Sequence, residues 1–195
     1  MAASAVVLAI TTGYLIGSIP VAALVTRLDL REVGDRNPGY WNAKETLGRR
    51  AAVPVFMGDV LKGVAAAGVG VLLAPDGDWW VAYVAAFAAM VGHAWPVFAR
   101  FRGGRSVLTF AGAVCVLSPV TAAISIGVLL VVMLATRSFA WAARAGVAVF
   151  PFVQIVVDGP YRTAATGCLM TLIGVRFAQA AVVSRTSGRA TSAGV

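Results

Sequence analysis

The sequence predicts an all-α, polytopic membrane protein with seven transmembrane helices, its N-terminus outside and its C-terminus in the cytoplasm. Three observations lead to this prediction: the composition, the lengths of the apolar runs and the placement of the basic residues. Of the 195 residues, 59% are hydrophobic and only 12% are charged, whereas a soluble domain has about 45–50% apolar and about 25% charged residues. So few charged residues cannot cover a water-soluble globule, which excludes that class. We expect a single integral membrane domain over residues 1–195, with residues 184–195 as a flexible tail.

Apolar runs of membrane-spanning length recur along the chain, and a helix needs about 20 such residues to cross the hydrocarbon core. Suitable runs occupy residues 3–25, 51–73, 79–98, 139–157 and 164–183. The uncharged stretch 107–135 is long for one helix and short for two, and Ser118-Pro119 interrupts it. Because proline favours a helix start, we interpret this stretch as two short spans that meet near Pro119. A kink at the same place would leave six spans.

The net charge of +8 is concentrated in alternate connections. The first loop, residues 26–50, is rich in arginine, and Arg100, Arg102 and Arg105 lie in the third loop. If the chain has seven spans, Arg137 and the C-terminal tail lie on the same side of the membrane as the first and third loops. The connections on the opposite side carry mainly aspartate. Short basic loops stay in the cytoplasm, which sets the predicted orientation. The positive charge is therefore interpreted as a topological feature, and no nucleic-acid partner is expected.

Two of the basic segments could hold an anion. Residues 29–50 combine glycines with several arginines, so that exposed backbone N–H groups and guanidinium groups lie together. Residues 101–109 place a Gly-Gly pair between arginines just before a helix start, a combination that suits a phosphate group. Each segment has a simpler interpretation as a basic loop that fixes topology and contacts anionic lipid. Charge alone favours that simpler interpretation for the first segment.

Four charged or histidine side chains lie at membrane depth within apolar runs: Asp59, Lys62, His93 and Arg176. Arg144 lies near the start of its run and could extend to the membrane interface. Such groups are unfavourable in lipid and usually face the interior of a bundle. Asp59 and Lys62 are three residues apart on one helix face, so they could simply neutralise each other. A lone histidine such as His93 is more often a structural residue than a catalyst. No Cys, His or carboxylate cluster has the spacing of metal ligands, so no metal is expected.

Taken in order, these segments resemble the PlsY family, the bacterial membrane acyl-phosphate:glycerol-3-phosphate acyltransferases. The match includes Gly-Ser-Ile-Pro at residues 17–20, Gly-Asp-Arg-Asn-Pro-Gly at 34–39 and Asp-Val-Leu-Lys-Gly at 59–63. Its most specific part is the stretch from Gly92-His93 to the Gly-Gly-Arg of residues 103–105. The resemblance covers roughly residues 12–140.

The resemblance implies an enzyme of phospholipid biosynthesis in the inner (plasma) membrane, with its active face in the cytoplasm. It implies glycerol 3-phosphate as acceptor, acyl phosphate from the lipid phase as donor, and no cofactor; protein partners stay unknown. The residues that it assigns to catalysis are Asn37, Asn42 and His93. The residues that it assigns to substrate or phosphate binding are Gly39, Lys62, Gly103, Gly104, Arg105, Thr109 and Arg137.

Several positions depart from the family pattern. Asp35 stands where the family has serine, Glu45 where it has arginine, and Ala140 in a serine-rich segment, and the family's C-terminal polar motif is missing from residues 184–195. A carboxylate at position 35 is expected to repel a phosphate dianion, and Glu45 removes a bidentate clamp. A catalytically impaired homologue that binds lipids or partners as a scaffold therefore stays open as an alternative. A transporter is a weaker alternative, because no matching pair of broken spans is visible.

Overall fold

The computed structural model describes the backbone of residues 2–192 and the side chains of residues 3–75 and 77–183, and its regular elements are all helical within this part of the chain. The α-helices are α1 (Ala2–Ser18), α2 (Val21–Thr26), α3 (Tyr40–Leu47), α4 (Arg49–Leu73), α5 (Trp79–Ala94), α6 (Val107–Leu117), α7 (Pro119–Thr136), α8 (Phe139–Val157) and α9 (Pro160–Ser192). Short 3₁₀ turns occupy Pro75–Gly77 and Val97–Ala99. The predicted tail, residues 184–195, lies outside the described side chains.

Within the described residues, six helical segments are long and apolar enough to cross a membrane. They are Ala3–Thr26, Arg49–Leu73, Trp79–Ala99, Pro119–Thr136, Phe139–Val157 and Pro160–Val183. Helix α6 is apolar but has only 11 residues, which span about 16 Å at about 1.5 Å per residue, against a hydrocarbon core of about 30 Å. The multi-pass helical architecture is therefore confirmed, whereas the count of seven spans and the orientation of the termini stay predictions.

Ser118 separates α6 from α7 as a reversal of the chain rather than a kink. At its start, α6 lies beside the end of α5, because Ser106 donates a hydrogen bond to the Met90 carbonyl. At its end, Ser118 lies 3.4 Å from the Tyr83 hydroxyl near the start of α5 and accepts a hydrogen bond from Gln154. Helix α7 then packs along α8 and runs opposite to α6. This agrees with the turn that the proline predicted.

Two other prolines divide runs that the sequence analysis treated as continuous. The first run breaks at Ile19-Pro20, between α1 and α2, because proline lacks the N–H needed to continue a helix. The third run ends at Ala94, two residues before Pro96, and continues as a 3₁₀ turn. Both breaks lie at the same end of the bundle, and both supply backbone groups to the site described below.

Close backbone contacts at glycines hold α1, α4, α5 and α6 together. A Cβ atom at Gly17 would strike the Ala89 carbonyl, and one at Gly92 would strike that of Tyr14. Between α4 and α6, a Cβ atom at Gly63 would strike the Thr109 carbonyl. Small residues allow helices in lipid to approach closely, where van der Waals packing replaces the hydrophobic driving force. The four helices therefore form a tight unit that fixes the positions of the side chains at its end.

The basic connections gather at one end of the bundle, which we call the loop end and define as residues 27–48, 95–106 and 137–138. Arg31 of the first loop donates to the Ala99 carbonyl of the third loop at 2.9 Å. Trp41 stacks on Phe139 with ring centroids 5.6 Å apart, which brings the connection after α7 to the same place. Asp158 lies at the opposite end, where Thr121 donates to it. Within the described residues, the basic loops thus lie at one end of the bundle and Asp158 lies at the other, whereas Asp76 and the tail arginines lie outside the described side chains.

Candidate active site

A buried cluster of three ionisable side chains lies below the loop end. Lys62 Nζ is 3.0 Å from Asp59 Oδ1 and 3.1 Å from His93 Nδ1, and the same Asp59 oxygen is 3.5 Å from His93 Nδ1. Asp59 and Lys62 come from consecutive turns of α4, and His93 comes from the end of α5. Their exposed fractions are 3%, 6% and 8%. The i,i+3 pair that the sequence predicted is present, and His93 joins it.

The break between α1 and α2 completes the shell around Lys62. Lys62 Nζ donates to the Ile19 carbonyl at 2.9 Å and to the Gly17 carbonyl at 3.3 Å. These carbonyls are available because the helix stops before Pro20, which leaves terminal acceptors without intrahelical partners. An ammonium group has three donors, and here four acceptors surround it. The donors of Lys62 are thus used within the protein, so Lys62 positions His93 and is not a cation available to a ligand.

His93 turns one ring nitrogen to Lys62 and the other to the third loop. With the Lys62 ammonium as donor, Nδ1 accepts, so that Nε2 carries the proton in the neutral ring. A Cβ atom at Gly104 would contact this Nε2 atom, and one at Gly103 would strike the His93 carbonyl. The Gly-Gly pair is therefore required for the loop to lie directly over the imidazole ring.

Both glycines are fixed by hydrogen bonds on two sides. Their N–H groups donate to α5, from Gly103 to the Ala94 carbonyl at 3.2 Å and from Gly104 to the His93 carbonyl at 3.1 Å. Their carbonyls accept from Arg176 of α9, whose Nη2 and Nε atoms each lie at 3.0 Å. Because the glycine N–H groups are already used, an anion at this loop would meet Arg105 and the start of α6 instead.

Arg176 is the site residue to which the sequence analysis gave no role. Its guanidinium group lies over the Trp95 ring, 4.9 Å from the centroid, and donates to the Gln179 side chain at 2.8 Å. A planar fork with several donors suits two adjacent carbonyls better than an ammonium group would. The sequence does show that Arg176 lies inside an apolar span. This position indicates that the side chain has a partner within the protein, but it does not identify that partner.

Arg105 lies at the mouth of the site. Its guanidinium group is 3.3 Å from Asp35 Oδ2 and lies over the Phe177 ring, 4.9 Å from the centroid. Asp29 and Arg31 form a close pair nearby, with Arg31 Nε 2.6 Å from Asp29 Oδ1. The hydrogen bond from Arg31 lowers the pKa of the Asp29 carboxyl below its usual value. Asp29 and Asp35 of the first loop are therefore each paired with an arginine.

Two pockets adjoin the Gly-Gly loop. The inner pocket contains the buried cluster, with about 40 Å³ of volume, and is lined by Asp59, Lys62, His93, Gly103 and Gly104 together with residues of the α1–α2 break. The outer pocket, with about 1330 Å³, is lined by residues 34–37, Gly103, Arg105 and residues 175–183 of α9. The inner one has room only for water-sized groups, so the outer one is the candidate for a phosphate ester.

The predicted site residues divide into those that line a pocket and those that do not. The lining group is Asn37, Lys62, His93, Gly103, Gly104 and Arg105. Asn42 is buried and donates to the Leu30 and Val33 carbonyls, while Thr109 is buried in the α4–α6 contact. Gly39 is the N-cap residue of α3, and Arg137 is the C-cap residue of α7 at the loop end. Neither residue lines the inner or the outer pocket. Glu45 and Ala140 also lie outside both linings.

An apolar helical bundle with a buried Asp-Lys-His cluster beneath an arginine-bearing glycine loop defines a class: multi-pass helical membrane proteins with a polar site at one end. Among the described residues, no group of His, Cys, Asp and Glu could hold a metal ion. The chain belongs to the glycerol-3-phosphate acyltransferase family, whose model matches residues 7–185.

Individual relatives agree with this assignment. A glycerol-3-phosphate acyltransferase of Rubrobacter xylanophilus is 42% identical over 160 residues, which is 79% of this chain and 78% of the relative. One of Halalkalibacterium halodurans is 41% identical over 116 residues, 57% of this chain and 56% of the relative. The crystal structure of PlsY, an integral membrane glycerol 3-phosphate acyltransferase in its glycerol 3-phosphate form, has a TM-score of 0.77 and 29% identity and covers 94% of this chain and 93% of that one. The resemblance seen in the sequence is thus confirmed.

Proposed function

We propose that this protein transfers a fatty acyl group from acyl phosphate to glycerol 3-phosphate, giving lysophosphatidic acid and inorganic phosphate. The observation that carries the proposal is the His93 imidazole, held by Lys62 against the Gly103-Gly104 loop with Arg105 next to it. Family membership supports it, because solved PlsY structures include a glycerol 3-phosphate form and a lysophosphatidic acid form.

The reaction needs positioned donors and charge stabilisation rather than a covalent enzyme intermediate. A hydroxyl oxygen of glycerol 3-phosphate attacks the acyl carbon, the bond from that carbon to the phosphate oxygen breaks, and the hydroxyl proton leaves with the phosphate. Arg105 would hold a phosphate group in the outer pocket and stabilise the negative charge that develops there. His93 lines the inner pocket and would act by positioning the Gly103-Gly104 loop, of which Gly103 also lines the outer pocket. Holding both substrates in the outer pocket lowers the barrier further by orientation.

The other predicted residues receive proposed roles that follow from their contacts. Lys62 positions His93, and Asn42 maintains the first loop through its two backbone hydrogen bonds. Thr109 supports the close contact of α4 with α6. Arg137 at the loop end, with Asn37 and Gly39 in the first loop, would shape the site and its positive potential.

We propose seven membrane crossings in a single domain of the plasma membrane, with the N-terminus outside and the loop end in the cytoplasm. The reversal at Ser118 and the gathering of basic connections at one end support this topology. In a background without Cys115 and Cys168, Arg102→Cys should be protected from an impermeant thiol reagent in intact cells and Asp78→Cys should be labelled. Labelling of both from the outside would contradict the orientation.

The activity is tested with purified protein, palmitoyl phosphate and labelled glycerol 3-phosphate, with lysophosphatidic acid as the measured product. A PlsY protein serves as the positive control and a no-protein sample as the blank. His93→Ala should abolish product formation. No product from the wild-type chain beside an active control would overturn the proposal, and binding of glycerol 3-phosphate without turnover would favour the impaired scaffold.

A further inference from the structure

The ion pair between Asp35 and Arg105 closes one side of the outer pocket. Asp35 Oδ2 lies 3.3 Å from Arg105 Nη2, with side-chain exposures of 38% and 26%. Both residues line the pocket together with Gly103. The sequence alone predicted that a carboxylate at position 35 would repel a phosphate dianion. In the fold, this carboxylate pairs with Arg105, the residue that is proposed to bind the phosphate.

Both partners are oriented before any substrate arrives. The Asn37 N–H donates to Asp35 Oδ1 at 3.0 Å, which leaves Oδ2 directed at Arg105. Arg105 rests on the Phe177 ring, which limits the directions open to its guanidinium group. A pair that is held at both ends loses little side-chain entropy when it forms, so it is more persistent than a typical surface ion pair.

We infer that Asp35 is a specificity-determining residue that acts as a resident anion on Arg105, which a phosphate ester must displace in order to bind. This inference rests on the proposed function, because it places Arg105 in the phosphate site. A phosphate dianion carries up to twice the charge of the carboxylate and three acceptor oxygens, so it competes for the guanidinium group where a monoanion does not. The displaced carboxylate then repels the bound dianion, which weakens ground-state binding and assists the release of inorganic phosphate.

The competing explanation is that the Asp35–Arg105 pair has only a structural role, which is to hold the first loop against the third loop. Arg31 already joins the first loop to the Ala99 carbonyl, and Glu32 joins it to Arg102 at 3.4 Å. Asp35→Asn separates the explanations, because an amide oxygen can still accept from the Asn37 N–H while the charge is removed. Glu32→Gln is the matched control, since it removes the neighbouring acid–arginine pair between the same two loops, and neither partner of that pair lines the outer pocket.

The experiment measures KM and kcat for glycerol 3-phosphate in wild type, Asp35→Asn and Glu32→Gln. Loss of competition and repulsion should lower KM about three- to tenfold in Asp35→Asn, with kcat within about twofold, the range expected for one partly exposed charge. Glu32→Gln should keep the wild-type KM. The KM ratio should shrink at high salt because screening weakens the charge effect. An unchanged or higher KM in Asp35→Asn would overturn the inference.

Binding of inorganic phosphate, measured by calorimetry on the same proteins, keeps this inference separate from the proposed function. Tighter phosphate binding by Asp35→Asn in a protein without turnover would support the resident anion and reject the enzyme activity. Turnover with equal KM values and equal phosphate affinities would support the activity and reject the resident anion. Absence of phosphate binding to either protein would reject the resident anion, whereas the activity is decided by product formation alone.

Discussion

Lys62 Nζ lies 3.1 Å from Nδ1 of His93, and both groups are buried beneath the loop end. Two groups that can both be cationic share one acidic neighbour, Asp59. With the Lys62 ammonium group as the donor, Nδ1 of His93 accepts, and Nε2 is the nitrogen that faces the loop. The first prediction concerns this relationship.

Lys62→Met should leave Asp59 buried without its cation and His93 without its donor. Removing one member of a buried ion pair costs about 3–5 kcal/mol, so the free energy of unfolding and the melting temperature should fall, and activity should drop by about 10² or more. Lys44→Met is the control, because Lys44 lies over the Trp41 ring at the surface. Thermal unfolding and turnover both measure the effect, and wild-type values of both would contradict the assigned role of Lys62.

Gly104→Ala should impair catalysis more than folding. The added Cβ meets His93 Nε2, so either the loop or the imidazole ring must move, and a displacement of about 1 Å can reduce the rate by about 10². Gly174→Ala is the control, since a Cβ there meets nothing within 4 Å. The measurement is kcat with saturating substrates. If Gly104→Ala matches Gly174→Ala in kcat, the loop does not need to lie against the ring.

Arg176→Ala should lower kcat because the Gly103 and Gly104 carbonyls lose their guanidinium donors. Hydrogen bonds to charged groups contribute about 1.5–3 kcal/mol each, so stability should fall as well. Arg176→Lys restores a positive donor group and should recover part of kcat. The recovery should be incomplete because an ammonium group lacks the planar pair of N–H donors that contacts the two carbonyls. This partial rescue of kcat separates positioning of the loop from simple anchoring of α9.

Arg162→Ala is the matched control for Arg176, because Arg162 also lies over a tryptophan ring, that of Trp79, but at the opposite end of the bundle. It should change stability while leaving kcat and KM at their wild-type values. Equal losses of kcat in the Arg162 and Arg176 variants would indicate general destabilisation and contradict the specific role of Arg176.

The Asp29–Arg31 pair should make stability depend on pH in acid. Since Arg31 lowers the pKa of Asp29 in the folded protein, the contribution of the pair is complete above the unfolded value of 3.8 and is lost as the pH falls through the lower folded pKa. Asp29→Asn should therefore melt below wild type at neutral pH, and the difference should vanish in acid. A difference in melting temperature that stays constant down to below pH 3.8 would contradict this linkage.

The membrane-spanning segments were predictable because length and hydropathy decide them. Residues 139–157 match α8, and Ser118-Pro119 predicted the reversal. The break at Pro20 and the helix α3 inside the first loop were missed, since a proline near a span end and a short polar helix give weak periodic signals. These errors concern local boundaries rather than the order of the helices.

The partners of the charged residues were not predictable, because they come from segments far apart in the chain. Asp35 meets Arg105 and Arg176 meets Gly104 only through the packing of the helices, which no local pattern encodes. The family resemblance assigns Asn42 to catalysis and Thr109 to phosphate binding. In the fold, Asn42 donates to two backbone carbonyls and the Thr109 carbonyl lies against Gly63, contacts that the sequence could not reveal. Residue type indicated which positions are polar, and only tertiary structure indicated their neighbours.

The glycine contacts between α1, α4, α5 and α6 also determine where this protein tolerates change. At Gly13, Gly17, Gly63, Gly92 and Gly112 even one methyl group would meet a neighbouring backbone carbonyl, which no side-chain rotation can relieve. Leu134 of α7 and Val156 of α8 instead expose most of their surface, and labels or linkers attached there meet lipid rather than protein. Engineering for imaging or immobilisation therefore belongs on those two helices, where it leaves the buried Asp59–Lys62–His93 cluster undisturbed.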